Sequence, residues 1–245
     1  MVMRRIFRFT WLLLILTACS TPTFGQRGHG GDGVTFRAYP AVGGTVSQIE
    51  GDYLKGFKKW GITAGVGTLM YFGNSDRWSL SAEADFSQRG TYEYSHSAET
   101  PYRVEGLTLN YVDIPLTIHF TDPWGGIMIG AGLVYSRLVN QPHGTLYYNP
   151  SYVEPDTSDL TFLRNDLAVA GDIRFAVWRN LVFNLRFQYS IIPVKKDWTF
   201  IEHVTVGDTD PPIRTVNDCY NFSIGIRLIY MFGDAPSGSS RRGRR

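Results

Sequence analysis

Large apolar residues fill every second position from Phe222 to Phe232 (Phe222, Ile224, Ile226, Leu228, Tyr230, Phe232), and the positions between them carry Ser223, Gly225 and Arg227. Strand side chains alternate between the two faces of a sheet, so the stretch presents one continuous apolar face and one mixed face. An ordinary globular strand needs about five or six residues, whereas a tilted strand crossing a bilayer needs about 9 to 11. The run has the membrane length.

Period-two alternation between turn residues predicts eight such segments, near 34–48, 58–72, 77–92, 104–120, 125–139, 164–177, 180–192 and 218–232. In the second, Trp60, Ile62, Ala64, Val66 and Thr68 oppose Gly61, Thr63, Gly65 and Gly67; in the third, Trp78, Leu80, Ala82, Ala84 and Phe86 oppose Ser79, Ser81, Glu83, Asp85 and Ser87. In the seventh, Leu181, Phe183, Leu185, Phe187, Tyr189 and Ile191 oppose Asn184, Arg186, Gln188 and Ser190. The fourth is irregular: Leu107, Leu109 and Tyr111 are followed, out of phase, by Val112, Ile114, Leu116, Ile118 and Phe120. With Pro115 close by, the phase slip predicts a β-bulge in one bent strand.

The connections alternate as well. They run about 9, 4, 11, 4, 24, 2 and 25 residues, the tight ones reading GNSD, TDPW and RN. Short turns at one end and long loops at the other are the habit of bacterial outer-membrane barrels. Hydrocarbon offers backbone N–H and C=O groups no partners, so strands in lipid must close into a ring. The expected fold is therefore all-β, an eight-stranded antiparallel transmembrane up-and-down β-barrel over residues 34–232, solvated by outer-membrane lipid. Phe222–Phe232 is its closing strand. Tyr230 and Phe232, the last aromatics before the tail, resemble the C-terminal signal by which the outer-membrane assembly machinery recognises its clients.

Composition sharpens this. Charged residues are 19% of the chain, aromatics 14%, and glycine occurs 26 times, against about 25% charged in soluble proteins. At the N-terminus, Arg4, Arg5 and Arg8 precede an apolar core from Trp11 to Leu16, the pattern of an export signal over residues 1–26. Two processing readings stay open: ordinary cleavage near Gln26, or lipoprotein processing at Cys19 within LTACS. A short linker, 27–33, would follow. The formal charge of +2 becomes −1 without the three arginines of 1–26 and −5 without the four of the terminal RRGRR. The basic balance thus resides in the two ends, which excludes a nucleic-acid partner for the body and leaves 233–245 as a disordered basic tail.

Four stretches, GGTVSQIEGDYLKGFKKWGITAGVGTLMYF, DRWSLSAEADFSQRGTY, LNYVDIPLTIHF and GGIMIGAGLVYS, resemble in that order the PorT-like porin family, outer-membrane barrels of Bacteroidetes. Its most specific elements here are the S-Q-I-x-G-D turn, Phe86–Gly90 (FSQRG) and Tyr111–Leu116 (YVDIPL). The resemblance covers roughly residues 34–232. It implies fold and envelope location, and its founding member is associated with protein secretion and gliding.

The candidate chemistry lies on the inward rows. Glu83, Asp85, Asp113 and Asp172 face Arg174, Arg186 and Arg227, with Arg89 towards the outer rim. Eight strands enclose only enough room for side chains, so these groups must pair. The expected result is an ion-pair plug, and the alternative is a narrow solute or proton path. His119 is expected on the same inner surface as a hydrogen-bonded lumen residue, about 20 Å of strand away from Asp113. His203, Asp208 and Asp210 are the material for a loop-borne hydrolase or cation site, but no nucleophile motif and no metal motif accompanies them. No catalytic residue, metal or cofactor is assigned. Trp60, Trp78, Trp124, Trp178 and Tyr230 are expected in interfacial girdles, and the loop at 143–160 leaves an extracellular ligand open.

Overall fold

The computed structural model describes residues 35–52, 56–72, 77–92, 106–123, 126–140, 153–155, 161–202 and 213–233. Ten strands run in chain order: β1 (Thr35–Glu50), β2 (Lys59–Phe72), β3 (Trp78–Thr91), β4 (Leu107–Thr121), β5 (Ile127–Leu138), β6 (Val153–Pro155), β7 (Asn165–Trp178), β8 (Leu181–Ser190), β9 (Lys195–Glu202) and β10 (Ile213–Tyr230). Eight of them form a ring in the order β1-β2-β3-β4-β5-β7-β8-β10, which the β1–β10 pairing closes. Every pairing in the ring is antiparallel. No edge within the ring is left to lipid, as a membrane barrel requires.

The ring is inside-out relative to a water-soluble domain. Val42, Ile62, Val66, Leu116, Ile129 and Ile226 are among the outward residues, each between 49% and 62% exposed, whereas Ser81, Glu83, Thr117, Asp172 and Asn184 are buried inside. An apolar surface running right round a protein is not stable against water, but hydrocarbon solvates it. Aromatic rings mark both rims. Trp60 projects at the end that carries the longer connections, here the loop end; Trp178, Tyr230 and Trp78, the last packed edge-on against Phe120, project at the turn end. Trp124 lies outside the described residues.

Two expectations are corrected. β4 contains no bulge: Leu107, Leu109, Tyr111, Asp113, Pro115, Thr117 and His119 all point inward in unbroken alternation. The β3–β4 register is the same on both sides of Pro115, from Ala82↔Leu116 to Asp85↔Asp113, with only the pairs between them lost where proline has no N–H to give. What changes along β4 is the chemistry inside the barrel, apolar near the loop end and polar below. The last strand also starts earlier than expected, at Ile213. Its first half leaves the ring to pair with β9, which pairs with β6 to form a small side sheet at the loop end. The two longest connections, read from the sequence as loops, carry these strands.

Candidate functional site

The inward side chains stack into four layers. Uppermost at the loop end, Ile49, Leu107, Leu109, Tyr111 and Leu138 line the wall, and Phe162, Val194, Trp198, Phe200 and Cys219 fold over them into one buried apolar cluster. Trp198 packs against Phe162 and Phe200, and the Lys195 ammonium lies 5.5 Å from its ring centroid. Backbone bonds from Leu163 N to Val194 O (2.8 Å) and from Val194 N to Cys219 O (2.7 Å) tie the three chain segments together across the mouth.

The second layer is polar. Arg89 donates to the Asp113 carboxylate and, at 3.3 Å, to Gln188 Oε1, and its guanidinium lies 3.6 Å from Asp166 Oδ2. Ser87 donates to Asp113 (2.7 Å) and Ser190 to Asp166 (2.8 Å). Asn221 Nδ2 reaches both Tyr111 Oη and Asp166 Oδ2.

The third layer joins three carboxylates to three guanidiniums. Glu83 is the hub: its Oε1 accepts from Arg174 Nη2 (2.6 Å), Arg186 Nη2 (2.7 Å) and Tyr39 Oη (2.8 Å), and its Oε2 accepts from Arg186 Nη1 (3.0 Å) and Arg227 Nη1 (2.8 Å). Asp172 accepts from Arg174 Nε and Arg186 Nε, each at 2.8 Å, and Asp85 accepts from Arg227 Nη1 at 2.8 Å. Asn184 links the two halves, donating to Asp172 (2.9 Å) and accepting from Arg227 Nε (2.8 Å). His119, from β4, places Nε2 2.9 Å from Ser81 Oγ and Nδ1 3.9 Å from Asp172 Oδ1. The formal charges in this layer cancel, and each ionic contact is a charge-assisted bond in a dry environment.

The fourth layer, at the turn end, is the apolar cluster of Tyr39, Ala41, Leu69, Tyr71, Ile229 and Met231. Below it Arg37 donates to the carbonyls of Phe232 (3.3 Å) and Gly233 (2.9 Å), which ties the chain's last described residues to its first strand.

The large side chains of the third layer fit because β2 presents none at that level. Gly65 and Gly67 face inward, and a Cβ at Gly65 would lie 2.0 Å from Asp85 Oδ1 and 2.5 Å from Ala84 O. At Gly67 it would lie 2.7 Å from both Glu83 Cγ and the Tyr39 ring. Gly65→Val is therefore expected to cost about 1–3 kcal/mol of stability through overpacking. Gly171→Ala, where a Cβ meets nothing within 4 Å, serves as the control in urea unfolding of the detergent-folded protein.

Six of the seven residues expected in the ion-pair plug meet in the third layer; Asp113 does not. It stands directly across the strand pair from Asp85, and the like charges diverge, Asp85 to Arg227 and Asp113 to Arg89. Asn184 lies in the lumen, as its place on the polar face of the seventh segment implies, and Asp166, Tyr39 and Asn221 join it there without having been singled out by the sequence. For Asp166 the signal was present, since the alternation through Ala168 and Ala170 puts it on the same face as Asp172. Tyr230 and Phe232 point outward at the turn end with rings 5.4 Å apart. Cys19, His203, Asp208 and Asp210 lie outside the described residues, as does most of 143–160, of which only the backbone of Val153–Pro155 is described. Cys219 is buried and forms no disulfide.

A closed ladder, an outward apolar belt rimmed by aromatics and a polar interior together define the class: this is a transmembrane β-barrel of the Gram-negative outer membrane. No protein-family model matches the chain, and no curated protein does. Among solved structures it is similar to Neisserial surface protein A (12% identity, 82% of this chain and all of that one, TM-score 0.45) and to Ail, the attachment invasion locus protein of Yersinia pestis (14%, 80% and 99%, TM-score 0.39). It is also similar to the outer membrane protease OmpT from Escherichia coli (14%, 81% and 96%, TM-score 0.33). The class assignment rests on the chain's own strand ladder and surface.

Proposed function

We propose that this protein is a plugged barrel with a structural or accessory role in the outer envelope, not an open diffusion channel and not an enzyme. One observation carries this reading: the lumen is filled from rim to rim by an apolar cap, two polar layers and an apolar base. A solute would have to displace Trp198 and its neighbours and then break several buried ion pairs. The resemblance of Phe86–Gly90 and Tyr111–Leu116 to the PorT-like family supports a link to protein secretion, and the outward Tyr230 and Phe232 suit recognition by the outer-membrane assembly machinery.

The test is electrical. Purified protein inserted into planar bilayers is expected to give no resolved single-channel steps in wild-type form. Well-defined openings would instead establish the narrow-channel reading.

A further inference from the structure

We infer that the second lumen layer is a binding site for one monovalent cation of the sodium type, coordinated by oxygens of Asp113, Ser136, Asp166 and Asn221. The inference needs only the sealed lumen and is independent of the envelope role.

Position comes first. Ser136 on β5 is the direct cross-strand partner of Asp113 on β4 and of Asp166 on β7, so the three form one inward row. Directly opposed residues have Cβ atoms about 4.5–5.5 Å apart. The two carboxylates converge across the serine, because the same Arg89 guanidinium touches Oδ2 of both. In each carboxylate the Oδ2 atom takes the partners: Ser87 and Arg89 for Asp113, Ser190 and Asn221 for Asp166.

Asp113 Oδ1, Asp166 Oδ1, Ser136 Oγ and Asn221 Oδ1 are all buried without a hydrogen-bond partner among the described residues. Ser136 itself is 0% exposed, so its hydroxyl is a fully buried, unpartnered group in the row between the two carboxylates. Four oxygens without donors in a dry interior are a costly arrangement unless something supplies positive charge. One serine proton satisfies a single acceptor at most. A water molecule can donate twice, and the one donor left over, Arg89 Nε, calls for such a water. Water alone leaves the charge imbalance.

That imbalance selects the ligand. The layer holds two carboxylates against one guanidinium, while the layer beneath is formally neutral, with three of each. One positive charge restores parity. Two carboxylates with one hydroxyl and one amide oxygen make a hard, all-oxygen donor set of low charge. An ion of higher charge would overshoot that parity, and only two carboxylates, Asp113 and Asp166, stand in the row to hold it. The apolar cap above shields the site from bulk water, where such an ion would be screened.

The experiment refolds the full chain from urea into detergent in sodium chloride or in choline chloride of equal ionic strength, and compares thermal midpoints by circular dichroism. Sodium at ten times its dissociation constant is expected to raise the wild-type midpoint by about 3 °C over choline. Asp166→Asn removes the excess charge, and Ser136→Ala removes a ligand with almost no change in volume. Both are expected to abolish the difference. Equal wild-type midpoints in the two salts overturn the inference, including the case in which acidification alone raises them, which would mean that a proton supplies the charge. A sodium shift that persists undiminished in either variant overturns it too.

Discussion

Replacing Glu83 by alanine is expected to destabilise the folded barrel by about 3–5 kcal/mol, the cost of breaking a buried ion pair from one side. Glu83 accepts from all three guanidiniums of its layer. Without it, Arg174, Arg186 and Arg227 would share only Asp85 and Asp172, and the apolar clusters above and below leave little water to replace the lost carboxylate. Urea unfolding in detergent, followed by tryptophan fluorescence, reads the loss directly. A change below about 1 kcal/mol would place the pair among the weak, solvent-screened ones and mean that the lumen is wet. Combining Glu83→Gln with Arg227→Met restores charge parity, and is expected to recover part of the stability lost in Glu83→Gln alone.

Trp198→Ala is expected to cost a similar amount, about 3–5 kcal/mol, for a different reason. Trp198 is 2% exposed and is the largest member of the apolar cap, so truncation removes transfer free energy and leaves a cavity that a closed ring of strands cannot collapse to fill. The variant is nonetheless expected to stay electrically silent in planar bilayers, because the Arg89–Asp113 and Glu83 layers still cross the lumen beneath the cap. Measurable leak is expected only when Trp198→Ala is combined with Glu83→Ala. Leak from Trp198→Ala alone would identify the cap as the sole barrier.

The outward rows were the legible part of this chain. Lipid imposes a strict demand, and runs such as Trp60–Ile62–Ala64–Val66 meet it without interruption. The reading failed where the barrel has a second apolar environment. The apolar run Leu107, Leu109, Tyr111 reads as a phase slip against Val112, Ile114 and Leu116 only if every apolar row faces lipid, whereas these three residues face the cap inside the barrel. A period-two pattern separates two faces and does not say which apolar face meets lipid. The same ambiguity hid Trp198 and Phe200, whose partners come from β4, β5 and a segment near Phe162, far apart in sequence. For the polar layers, phase placed the charged side chains inside, but the stagger of the ring decides which arginine meets which carboxylate. Alternation alone therefore does not separate Asp113, which meets Arg89, from the carboxylates that meet Arg174, Arg186 and Arg227.

The seam between β1 and β10 joins residues such as Ala41 and Ile229, on the first and last strands of the ring. Nothing shorter can complete the circle. A chain released before Phe222 would not be a smaller barrel but an open ribbon with two raw borders, and Arg37 would lack the carbonyls of Phe232 and Gly233 that it holds. Closure is accordingly expected to wait for the last strand, and until it arrives both borders carry unpaired backbone groups that lipid cannot satisfy.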